Sequence, residues 1–141
     1  MRAYGHARRR AARATYSLPR SELSARWARH LTAAYLNHGC GEKVSRDQVD
    51  DATLVVSELV TNATRHGRSG CRLQLSVDRG RVTVEVHDSS PLRPRFPTGE
   101  ATDVMAEGGR GMTLVRELSR RLSILATPGG GKTVQAVLLA C

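Results

Sequence analysis

Between Ala52 and Ala63 the apolar residues Leu54, Val55, Val56, Leu59 and Val60 would fall almost all round a helix. A helix that is apolar around most of its circumference must be buried on most sides. Its ends are marked. Ser45 followed three residues later by Gln48 has the capping-box form, and Gly67 is a natural terminator. The spacing therefore predicts a helix from about Arg46 to His66, and the rest of the chain must supply what covers it.

Two alternating segments follow that helix. Cys71, Leu73, Leu75 and Val77 alternate with polar residues, as do Val82, Val84 and Val86, and Asp78-Arg79-Gly80 between them reads as a hairpin turn. Two further strands, near Leu122–Thr127 and Lys132–Leu139, flank the turn Pro128-Gly129-Gly130-Gly131. Upstream, Arg13 to Leu18 reads as a short strand. Pro19, Ser21 and Glu22 open a helical stretch to about Asn37, with Leu23, Trp27, Leu31 and Ala34 on one stripe. His38-Gly39-Cys40-Gly41 ends it. A helix from about Gly111 to Arg121 uses Met112, Val115 and Leu118. Between Asp88 and Gly111 the pattern dissolves into Pro, Gly, Ser and charge, and a loop of that length in a compact domain tends to be functional. Helices, hairpin, long loop, helix and hairpin imply an α+β fold. We expect a two-layer sandwich, its mixed, mainly antiparallel sheet carrying helices on one face. The expected division is a basic flexible tail over residues 1–14 and one domain over 15–141.

Charge is less informative than it first looks. The 141 residues carry 22 Lys+Arg against 13 Asp+Glu, a net +9. Residues 1–20 hold Arg2, Arg8, Arg9, Arg10, Arg13 and Arg20 and no acid, so +6 sits there and +3 on the remainder. Aromatic residues make up 4%, and no stacking run accompanies the arginines, so base readout of a nucleic acid is poorly supported. Cys40, Cys71 and Cys141 lack paired metal or redox spacing and read as reduced thiols of a cytoplasmic protein. No apolar run approaches the ~20 residues that cross a bilayer.

Two polar side chains break the central helix. Glu58 and Asn62 stand at i and i+4 and project together, away from the stripe of Val49, Ala52, Val56 and Ala63. They read either as a surface pair beside Arg65 or as the lining of a polar pocket. In a pocket, an Asn carbonyl oxygen can ligate a hard cation and a Glu can act as general base. Gly108-Gly109-Arg110-Gly111 lies at an expected helix start, where free N–H groups attract anions; a plain loop is the other reading. Asp88 ends a strand and could accept a hydrogen bond from an exocyclic amine, or simply form a turn with Ser89, Ser90 and Pro91. Gly131-Lys132-Thr133 has the look of a P-loop tail. Ala126 stands where that motif needs glycine, and Val134 to Leu139 alternates like a strand, so the P-loop reading is rejected.

Together, in this order, these pieces resemble the GHKL, or Bergerat-fold, ATPase superfamily, which includes the histidine kinases and the anti-sigma factor kinases. Glu58-Leu59-Val60-Thr61-Asn62-Ala63 looks like its N box and Asp88-Ser89-Ser90 like its G1 box. Gly108 to Met112 is similar to its G2 box, and Gly131-Lys132-Thr133 to its terminal strand signature. The likeness covers about residues 15–140. The wording of Ser57 to Ala63 and of Gly109 to Met112, and the size, are similar to the small anti-sigma factor serine kinase branch. No upstream helical module offers a phosphoacceptor histidine, which sets the histidine kinase branch aside.

The resemblance implies roles. Asn62 would hold Mg²⁺ against the ATP phosphates and Glu58 would be the catalytic base. Asp88 would take the adenine amino group, with Thr133 supporting it and Ser90 in the same box. Gly108, Gly109, Gly111 and Met112 would wrap the phosphates, with Arg110 and Arg65 as charge partners. It implies ATP and Mg²⁺ as cofactors, a small antagonist protein as phosphoacceptor, a sigma factor as a second partner, and a homodimer. The expected function is thus a serine/threonine protein kinase regulating transcription. Ser90 and Leu92 stand where the G1 box usually has glycines. That departure motivates an alternative, a nucleotide-gated partner-binding module that transfers no phosphate. A basic nucleic-acid binder is the third reading.

Overall fold

The alternating segments pair into one antiparallel sheet. In the computed structural model, which describes residues 13–66, 69–90, 110–127 and 130–139, β1 (Arg13–Leu18), β2 (Cys71–Asp78), β3 (Arg81–Asp88), β4 (Ser119–Ala126) and β5 (Lys132–Leu138) lie in the order β1-β2-β3-β5-β4. Every pairing among them is antiparallel, in line with the mainly antiparallel sheet expected. Arg13 and Ala14 pair with Ser76 and Leu75, so they belong to the sheet and not to the basic tail. The β2–β3 turn puts Arg79 and Gly80 at φ 55° and 76°, the signature of a two-residue turn whose twist matches its strands. Leu73, Leu75, Val82, Val84, Val86, Val134 and Ala136 make a dry inner face.

Three helices among the described residues cover that face: α1 (Ser24–Ala34, continuing as one π turn over Tyr35–Gly39), α2 (Arg46–His66) and α3 (Arg110–Leu118). The α2 helix runs between α1 on one side and β3, β5 and α3 on the other, which is how its Val55, Val56, Leu59 and Val60 come to be buried. Its start is fixed as expected. Gln48 N donates to Ser45 Oγ at 3.1 Å and Ser45 N to Gln48 Oε1 at 3.3 Å. Gln48 Nε2 also donates to Gly80 O at 2.9 Å, pinning the helix to the hairpin turn.

Two expectations need correction. The α1 residues facing the core are Ser24, Ala28 and Thr32, small side chains that allow close approach to α2. Of the expected stripe, Leu23, Trp27 and Ala34 turn outward, with Leu23 57% and Trp27 60% exposed, while Leu31 is partly buried against the core. The third helix ends at Leu118, and Ser119–Arg121 join β4, opposite Leu138 and Val137 across a register irregularity. Sheet pairing outweighs the weak helical preference of that Ser-Arg-Arg run.

Candidate functional site

Glu58 and Asn62 are both half-buried on α2, and neither makes a hydrogen bond or ion pair among the described residues. One helical turn apart, they share a face. The Glu58 carboxylate lies against α3. A Cβ added to Gly111 would sit 2.0 Å from Glu58 Oε2 and 2.6 Å from its Cδ. Glycine at 111 is thus what gives the carboxylate its place at the start of α3, where first-turn N–H groups lack intrahelical acceptors. An acid held against a helix N-terminus, with no partner among the described residues, can accept a proton or lie beside an anion's counter-ion. No ion pair joins Glu58 to Arg65 among the described residues.

The second group stands at the end of β3. Asp88 is 2% exposed, and its Oδ1 accepts the Ser90 N–H at 2.7 Å. The turn reading and the carboxylate reading therefore describe one object: Ser90 closes the turn that aims Asp88. Asp88 lies directly opposite Lys132 in the β3–β5 register, and Lys132 Nζ reaches its Oδ1 at 3.0 Å and Oδ2 at 2.8 Å. Gly131, at φ +93°, comes so close that a Cβ there would lie 2.4 Å from the Asp88 carbonyl oxygen.

The expected support of Asp88 by Thr133 is corrected by the same register. Thr133 lies opposite His87, on the outer face, with its hydroxyl 3.1 Å from His87 Nδ1 and the Thr127 hydroxyl 3.2 Å from the same nitrogen. Neighbouring residues of a strand point to opposite faces, so Lys132 and Thr133 cannot both face Asp88. Lys132 was overlooked as a site residue. Its signal was present in the sequence as a lysine opening an apolar strand, and it becomes readable once β5 is paired with β3.

The remaining expected residues divide. Met112 packs its side chain into the core at 8% exposure. Arg65 is exposed and lines a cleft of about 460 Å³ with Arg20, Ser21, Glu22, Ala25, Thr61 and Thr64. Gly108 and Gly109 lie outside the described residues, as does the Leu92–Glu107 loop; of Arg110 only the backbone is described.

Cys71 is buried near this site. Burial, with the Asp88 charge adding to it, pushes its thiol up from 9.0 to about 11. Cys40 is also buried and unbridged. Cys71 should therefore resist iodoacetamide at pH 8 in the folded protein and react on denaturation. The unfolded thiol ionises first, so the stability it confers is complete below pH 9 and drains as pH rises toward 11. Urea midpoints across that window should fall less steeply for Cys71→Ala.

A family model described as histidine kinase-like ATPase domain matches residues 18–138. Among solved structures, the chain is similar to one in the SiaB-SiaC complex from Pseudomonas aeruginosa, with a TM-score of 0.65, 14% identity and 98% of each chain covered. It is also similar to the RsbU and RsbW domains of Rv1364c from Mycobacterium tuberculosis, with a TM-score of 0.63 and 19% identity. That match covers 89% of this chain and 32% of the other, so the chain spans about a third of its length. At these identities the likeness is one of fold. No curated protein matches.

Proposed function

The chain belongs to the histidine kinase-like ATPase domain family, and from that premise we propose that it is an ATP- and Mg²⁺-dependent regulatory kinase of the anti-sigma factor type. It would transfer the γ-phosphoryl group to a serine or threonine of a small antagonist protein, and control transcription by holding a sigma factor. We place it in the cytoplasm as a homodimer. Among the described residues no helix is long and apolar enough to cross a membrane. The observation that carries the catalytic part is the Glu58 carboxylate, set against Gly111 and without a hydrogen-bond or ion-pair partner among the described residues. The solved neighbours include a two-protein complex, which supports a partner-binding role.

The residues present suit the implied groups. Asn62 offers an amide oxygen with no hydrogen bond among the described residues. A single neutral oxygen fits Mg²⁺, which keeps several waters and is held largely through substrate phosphates. Bound there, the ion neutralises charge on the phosphates. Asp88, fixed by Ser90 and Lys132, takes the adenine amino group. Glu58 takes the proton of the acceptor hydroxyl, whose oxygen forms a bond to the γ-phosphorus as the bond to the β–γ bridging oxygen breaks and ADP leaves. The α3 N-terminus faces the anionic group during that exchange.

Asn62→Ala should lower ATP affinity at least about tenfold in the presence of Mg²⁺ and leave it unchanged with chelator, as read by calorimetry. Wild-type protein that shows no Mg²⁺-dependent ATP affinity ends this reading. The substituted G1 box, with Ser90 fully buried where glycine is usual, favours one second reading, a nucleotide-gated module that sequesters a partner without transfer. Labelled ATP incubated with candidate antagonist proteins separates the two, because a persistently unlabelled acceptor selects the module.

A further inference from the structure

The Asp88–Lys132 pair carries more than a structural role. Both side chains are nearly dry, at 2% and 3% exposure. A carboxylate offers about four acceptor positions and an ammonium three donors. Among the described residues, Asp88 Oδ1 accepts from Ser90 N–H and Lys132, and Oδ2 from Lys132 alone. One acceptor position remains on Oδ2. Lys132 Nζ reaches both oxygens, which leaves at least one of its three N–H donors without a hydrogen bond among the described residues. The pair therefore keeps an acceptor position and a charged donor in hand at the end of β3.

We propose that Asp88 and Lys132 read the nucleotide base jointly, with Lys132 donating to adenine N1 while Asp88 accepts from the N6 amino group. The proposal rests on the nucleotide-binding reading above and extends it to a specificity-determining residue. The Watson–Crick edge of adenine places an N–H donor next to a bare ring nitrogen, the complement of what the pair leaves open. An acceptor-only carboxylate checks the amino group alone. The added ammonium checks the neighbouring nitrogen as well, inside a site where a hydrogen bond to a charged group counts for more than one in water.

The test uses 1-deaza-ATP, in which N1 is replaced by C–H. Wild-type protein should bind it about tenfold or more weaker than ATP. Lys132→Met should lose a similar factor toward ATP and then fail to distinguish the two nucleotides. Equal affinities in the wild type, or an undiminished preference for ATP in Lys132→Met, overturns the assignment.

A second measurement needs no variant, in case Lys132→Met does not fold. The chain has two lysines, Lys43 and Lys132, and Lys43 is exposed. The slowly exchanging ammonium signal of isotope-labelled lysine therefore belongs to Lys132. It should move on adding ATP and stay in place with 1-deaza-ATP; an identical response to both overturns the proposal. No ATP affinity at all is a different result, and that one removes the nucleotide reading itself.

Discussion

Glu58→Gln should retain Mg²⁺-dependent ATP binding within about twofold while phosphotransfer to the acceptor protein falls by about 10²–10⁴-fold, the usual worth of a general base. Glutamine keeps the length and polarity of the side chain, so the space against Gly111 stays filled and α2 stays packed. What it loses is the ability to take a proton. Single-turnover transfer of labelled phosphate, beside calorimetric ATP affinity, reads both halves. Transfer equal to wild type removes Glu58 from the base role and leaves ATP binding untouched. A companion variant attacks position instead of chemistry. In Gly111→Ala the new methyl falls 2.0 Å from where Glu58 Oε2 now lies, so the carboxylate must swing aside. Transfer should drop there too, with the acid still present.

Asp88→Ala should abolish measurable ATP affinity and also destabilise the fold by about 3–5 kcal/mol, because it strands Lys132 as a buried unpaired charge. These two losses have separate causes and can be pulled apart. The double variant Asp88→Ala, Lys132→Met removes the stranded charge, so urea denaturation should recover most of the stability while calorimetry still finds no ATP. If the single variant is as stable as wild type, the pair is not the dry contact that its 3% and 2% exposures describe. If the double variant regains ATP binding, Asp88 is not the group that holds the base.

The family's order of boxes was legible because each box is local. The Ser45 and Gln48 reciprocal cap, the two-residue turn at Arg79-Gly80 and the i, i+4 pair of Glu58 and Asn62 are all decided within a few residues. The helix from Arg46 to His66 came out at those bounds for the same reason, since an apolar-rich helical pattern between a cap and a glycine leaves little choice. What escaped was non-local. That Lys132, and not Thr133, faces Asp88 follows from which strand β5 pairs with and in what register, and nothing inside residues 131–139 states it. The direction of α1 failed similarly. Its large apolar residues suggested the core face, yet close packing on α2 selects Ser24, Ala28 and Thr32, and that choice depends on how near the two helices lie. The end of α3 was misplaced because the pairing of Ser119–Arg121 with β5 overrides local preference.

Trp27 is the chain's one tryptophan, and it stands in water at 60% exposure. Its emission in the folded protein should therefore already resemble that of the unfolded chain. Tryptophan fluorescence will be nearly blind to denaturation here, and far-ultraviolet circular dichroism is the better measure of folding. The same position makes the indole a sensitive optical reporter for the outer face of α1. Any molecule that covers that helix should shift the emission to the blue, with no label attached and no second tryptophan in this chain to subtract.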